Sequence, residues 1–148
     1  MTAAPAMPLT ELYEADETAW LDTMAVLIAQ RRISEFDLHN LQEFIESMAK
    51  RDRRELESRL KVLLAHLLKW EYQPDKRSKS WSLTIDNQRW EIEFDCRSKT
   101  LRNHADAELE SVYAKAVAEA AYEAGLDMSA FPETCPWTLD QILADDDA

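Results

Sequence analysis

The sequence predicts an all-α fold, an irregular helical bundle of four main helices plus a short C-terminal helix, built around one long helix. Three observations carry this. Among 148 residues there is a single glycine, Gly125, so the positive-φ turns that tight β-hairpins need are scarce. Apolar residues recur at three- and four-residue spacing along most of the chain. Hydrophobic residues make up 46% of it, enough to fill a core at this length and too many for a disordered chain. One domain over 1–148 is expected, with flexible ends at 1–9 and 144–148.

The first helix is expected from about Thr10 to Arg31, where Trp20, Met24, Leu27, Ile28 and Arg31 fall at helical spacing. Asp16 is a good cap, so the start reads as a short separate turn. The second helix begins near Ser34 to Asp37, with Leu38, Leu41, Ile45 and Met48 on one stripe. After the polar patch "KRDRRE" the stripe resumes at Leu56, Leu60, Leu63, Leu64 and Leu67. Its phase is nearly continuous, which suits one helix to about Tyr72, roughly 50 Å long. A break near Ala49 to Arg53 is the alternative. Pro74 stops the helix, because the residue before a proline is pushed out of helical geometry.

"SWSLTIDNQRWEIEFDC" has two readings. Trp81, Leu83 and Ile85, then Trp90, Ile92 and Phe94, alternate around Asp86-Asn87 as a hairpin would. As a helix, Trp81, Ile85, Ile92 and Cys96 form one stripe, and Leu83, Asn87, Trp90 and Phe94 form another. An isolated hairpin in a helical chain is poorly supported. The helix is preferred, capped by Ser78 or Ser80 and buried on a wide face. The fourth helix is expected from Ala105 to Ala124, with Leu109, Val112, Tyr113, Ala116 and Ala120 inward and Gly125 as its C-terminal cap. Thr138 and Gln141 make a capping box for a short last helix, whose inner side is Leu139, Ile142 and Leu143. "ADDDA" reads as a solvated acidic tail. No repeat and no long linker divides the chain.

"LYEADETAWL", "SRLKVLLAHLLKWEYQPDKRSKSW", "TIDNQR" and "FPETCPWTLDQIL" resemble the domain-of-unknown-function family twenty-nine, a family of small bacterial proteins. The resemblance runs from about Leu12 to Leu143, and "HLLKWEYQP" followed by "RSKSW" is its most specific part. It implies an all-helical fold, which favours helix over hairpin for 80–98, and it implies no activity. The family usually carries Gly near Ala49 and Ser near Asp52; without them, this chain argues less for a break in the long helix.

The net charge of −12 is unevenly placed. Residues 1–48 hold 2 Lys/Arg against 9 Asp/Glu, residues 49–104 hold 14 against 9, and residues 105–148 hold 1 against 11. Either the acidic arms cover the basic middle, or a basic face stays open to an anion. Lys76 and Arg77 follow the end of the long helix, where cations suit the free carbonyls. Lys79 opens the next helix, where the dipole disfavours it unless an anion binds. Lys76, Arg77, Ser78, Lys79, Ser80 and Arg89 are therefore the candidate anion- or partner-binding set. With Tyr72, Trp81 and Trp90 nearby, nucleic acid is the polyanion to consider. The plainer reading, a solvated turn whose tryptophans face the core, carries more weight.

His39 with Glu43 and His104 with Glu108 have i,i+4 spacing, the ordinary pattern of a solvated helix face. The paired Glu-x-x-His motifs of a di-metal bundle are missing, and no metal or cofactor is expected. His66, inside an apolar stripe, reads as a hydrogen-bonded core histidine. Cys135, before Pro136, reads as packing. Cys96 and Cys135 read as reduced thiols of a cytoplasmic protein. No apolar run approaches the ~20 residues of a membrane span, and "MTAAPAMPL" lacks the features of a secretory leader. Gly-rich phosphate loops and nucleophile elbows have no counterpart. The expected function is non-enzymatic: a protein–protein interaction or self-association module, with a homo-oligomer or another protein as partner. The alternative is anion or nucleic-acid binding through 69–102.

Overall fold

The structure is a computed structural model and describes residues 7–144. The chain is an all-helical, irregular bundle built around one long helix, with a short helix at its C-terminal end. The helices are α1 (Leu9–Ala15), α2 (Glu17–Ala29), α3 (Leu38–Tyr72), α4 (Lys79–Asp95), α5 (Lys99–Ala124) and α6 (Leu139–Leu143). Single 3-10 turns lie at Ile33–Glu35, Pro74–Lys76 and Met128–Ala130, and no strand occurs among the described residues. The expected flexible ends and acidic tail fall mostly outside these residues, although Leu9 already opens α1.

Local chemistry sets the boundaries. Asp16 separates α1 from α2, its carboxylate accepting from the Ala19 amide at 3.1 Å. Arg31 closes α2 with φ of 57°, an unusual left-handed position for a residue with a side chain. Helix α3 runs unbroken from Leu38 to Tyr72, through the stretch where a break was the alternative. Ser78 caps α4 by accepting from the Trp81 amide at 3.1 Å, which settles helix over hairpin. Ser98 caps α5 through the Leu101 amide, so α5 starts six residues before the expected Ala105. Gly125 ends α5 at φ of 66°, and the Leu126 amide returns to the Ala121 carbonyl at 3.0 Å. Thr138 and Gln141 form the expected capping box of α6.

The chain forms two compact units, Met1–Lys50 and Arg51–Ala148, each with its own core. In the first unit Trp20, Met24 and Leu27 are buried, packed by Leu9, Leu12, Tyr13, Leu21, Phe36, Leu41 and Phe44. The Tyr13 ring meets Trp20 edge-on at 4.8 Å. Ile28, Leu38 and Ile45, expected on inner stripes, are exposed. The helices of this unit turn Phe44 inward in place of Ile45, one position around the helix.

In the second unit Leu56, Leu60, Leu63, Leu64, Ala65 and Leu68 of α3 pack with Ile85 and Ile92 of α4. Helix α5 adds Val112, Tyr113 and Val117 together with Ala105, Ala116, Ala120 and Ala121, small residues that allow close approach. Phe131 and the α6 residues Leu139, Ile142 and Leu143 complete this core. Leu67, expected on the inner stripe, is only partly buried; Leu68 takes the core position.

Candidate functional site

The corner between α3 and α4 carries five of the six candidate residues. Lys76 ends its 3-10 turn and Lys79 and Ser80 open α4, all three exposed. The other three candidates have partners within the chain. Arg77 donates from Nε to the Trp70 carbonyl at 2.8 Å, and its guanidinium lies 4.9 Å from the centre of the Trp70 ring. Ser78 is the α4 cap. Arg89 donates from Nε to the Ile142 carbonyl at 2.9 Å, tying α4 to the last turn of α6. The six residues therefore lie along the corner and α4, and two of the four cations are held by backbone carbonyls of the same chain.

Below the corner, Lys69 is buried with its ammonium 2.5 Å from Glu123 and 5.1 Å from the centre of the Trp81 ring. Tyr113 donates to the Pro132 carbonyl at 2.7 Å, and burial first, then nearby Cys135, pushes its hydroxyl up to about 12. Arg59 gathers Glu55, Glu91 and Asp95 at 2.6, 2.7 and 3.4 Å. Burial raises Asp95 more than Arg59 lowers it. These contacts join α3, α4 and α5, and sequence spacing pointed to none of the long-range ones.

The thiols and histidines stand mainly as structural groups. Burial pushes the Cys96 thiol up, and pushes Cys135 up more than the Trp137 backbone lowers it. Both shifts oppose the thiolate form that a nucleophile needs. His66 Nδ1 lies 2.8 Å from the Val62 carbonyl within α3. His104 Nε2 lies 3.6 Å from the Glu57 carboxylate. Among the described residues no group of three or more His, Cys, Asp or Glu side chains is arranged to share a metal ion. Among the described residues no helix is long and apolar enough to cross a membrane.

Two features beside the core of the second unit bear on function. A cleft of about 480 Å³ lies beside α4, with Trp70, Glu71, Asp86, Arg89 and Trp137 among its lining residues. The other is the outer face of α4. Leu83, Trp90 and Phe94 are 53%, 66% and 55% exposed. They were expected to widen the buried face, and they do the opposite. At about 100° per residue, Leu83, Asn87, Trp90 and Phe94 share an arc of roughly 60°, centred about 180° from Ile85 and Ile92. The Trp90 and Phe94 rings stack at 6.3 Å and 20°, and the Arg97 guanidinium lies 5.1 Å from the centre of the Phe94 ring. The spacing of four, three and four residues from Leu83 to Phe94 is that of a two-heptad helix-pairing seam, with Asn87 in its middle. The signal was present in the sequence; its direction was not.

No curated protein and no solved structure matches the chain. The sequence profile of the domain of unknown function DUF29 matches residues 12–147. That span carries both cores, the corner and the whole of α4, and the chain belongs to the DUF29 family.

Proposed function

We propose that this protein is a non-enzymatic, cytoplasmic protein–protein interaction module, and that the outer face of α4 is its docking surface. The observation that carries the reading is the exposed seam of Leu83, Asn87, Trp90 and Phe94 on the side of α4 opposite Ile85 and Ile92. Single exposed apolar residues are ordinary. Four positions at heptad spacing, including two stacked aromatic rings, form the pattern by which one helix receives another. Aromatic anchors of this kind supply most of the energy of a small interface. The two free thiols, Cys96 and Cys135, suit a reducing compartment.

The test is site-specific photocrosslinking in living cells of the source organism. A photoreactive residue at Leu83 is expected to give a defined adduct, and the same residue at exposed Lys115 none. Equal labelling at both positions, or an adduct at neither, would sink the reading.

A further inference from the structure

We infer that the occupant of the α4 outer face is a basic amphipathic helix from another protein. This rests on the reading of that face as a docking surface and adds the chemistry of what docks there. The edges of the seam are acidic. Asp86 and Glu93 run along one edge, and Glu91 lies on the other. Glu91 is shared with Arg59 at 2.7 Å. Asp86 and Glu93 form no ion pair with any of the described residues.

Flanking charges choose the partner of a helix seam. If a second copy paired in parallel, Asp86 would oppose Glu91 of that copy. If it paired antiparallel, Asp86 would approach Glu93. Both arrangements set acid against acid, and each copy brings a net charge of −12. A helix with an apolar ridge flanked by Lys or Arg meets a carboxylate at Asp86 and Glu93 on one edge and at Glu91 on the other. Lys79 and Arg97 mark only the two ends of the seam.

The cleft adds a second acidic element on the same side. Asp86 belongs both to the edge of the seam and to the cleft wall, beside Glu71, Trp70 and Trp137. Arg89, the basic residue of that wall, is held by the Ile142 carbonyl. A Lys or Arg side chain reaching past Asp86 enters a space of about 480 Å³ with carboxylates and indole rings in its lining, the surroundings that favour a cation with an aliphatic stem. Asn87, within the seam, favours an occupant that brings a polar group to the matching position.

The experiment uses the full-length protein and two labelled helical peptides with the same leucine spacing, one with lysine on its polar face and one with glutamate. Binding is read by fluorescence anisotropy, and the mass of the protein alone by sedimentation. The Leu/Lys peptide is expected to bind and to weaken on the order of tenfold or more with Trp90→Ala or Phe94→Ala. The pair Asp86→Asn and Glu93→Gln is expected to weaken it and flatten its salt dependence. The Leu/Glu peptide is expected not to bind, and the protein to sediment as a monomer. Binding of the Leu/Glu peptide as tightly, or a dimer that Trp90→Ala dissociates, would overturn the basic occupant and leave the docking face standing. Peptide binding indifferent to Trp90→Ala and Phe94→Ala, together with a monomer, would overturn both. All four side chains are on the surface, and circular dichroism verifies that each variant is folded.

Discussion

The Trp20 indole donates to the Asp37 carboxylate at 3.0 Å across seventeen positions of sequence. Asp37 also accepts from the Asn40 side chain at 2.7 Å and lies over the first turn of α3, close to the Asn40 amide. Burial alone would raise the pKa of Asp37; hydrogen bonds from Asn40 and Trp20 outweigh it, and the net shift is downward. A lowered folded pKa contributes stability above the unfolded value near ~3.9 and loses it as pH falls through the folded value. Asp37→Ala removes a cap and strands a buried indole donor, so a loss of about 2–3 kcal/mol is expected in urea unfolding at neutral pH. Asp37→Asn should cost less at neutral pH and remove part of the decline between about pH 4 and lower values. The sequence marked Asp37 only as one of several places for a helix to begin. Nothing periodic links it to Trp20, because a side-chain bond between elements leaves no repeat to read. Lys69 with Glu123 was hidden for the same reason. Asp16, Gly125 and the Thr138–Gln141 box were legible because each acts within a few residues of itself.

Helix α4 shows what remains hidden at the level of an element. Its existence, its cap and both of its apolar stripes could be read from "SKSWSLTIDNQRWEIEFDC". Which stripe faces inward could not, because Ile85 with Ile92 and Leu83 with Trp90 repeat at the same interval. The neighbours decide: α3, α5 and α6 supply a core on one side only. The early start of α5 was obscured because residues 99–104 are mostly polar and only Leu101 among them packs against the core. The start of α4 yields its own expectation. Lys79 is its first residue, exposed at the positive end of the helix dipole. Lys79→Glu is therefore expected to stabilise the protein by about 0.3–1 kcal/mol in thermal unfolding at low salt. The same substitution would abolish binding if the corner held an anion, so oligonucleotide binding lost in Lys79→Glu would revive the basic corner as a site. The hydrogen bonds of Arg77 and Arg89 to backbone carbonyls favour the structural role.

Across the whole molecule, the uneven charge has a partial explanation in the second unit. The acidic C-terminal segment supplies partners to the basic middle: Glu123 to Lys69, Asp106 to Arg102 at 3.8 Å, and Asp140 to the same Arg102. The two Arg102 pairs are partly exposed and contribute little stability each, but all three pairs draw basic side chains into contacts within the chain. What is left is a strongly acidic protein with an uncovered aromatic seam. Such a field speeds the approach of a cationic partner and slows that of a like-charged copy. Association with the basic peptide is accordingly expected to slow as salt rises from about 0.05 to 0.5 M, with the dissociation rate changing less. Stopped-flow fluorescence separates the two rates, and a salt-independent association rate would contradict the role given to charge.

Everything proposed for function depends on α4 presenting one face to the core and leaving the other free. Chemical unfolding of Trp90→Ala beside Ile92→Ala tests this most directly, with the two positions only two residues apart on the same helix. The expected cost is about 1 kcal/mol or less for Trp90→Ala, the scale of its stacking on Phe94, against about 2–5 kcal/mol for Ile92→Ala. A loss for Trp90→Ala as large as that for Ile92→Ala would mean that the aromatic face is buried in the folded protein, and the docking surface would not exist.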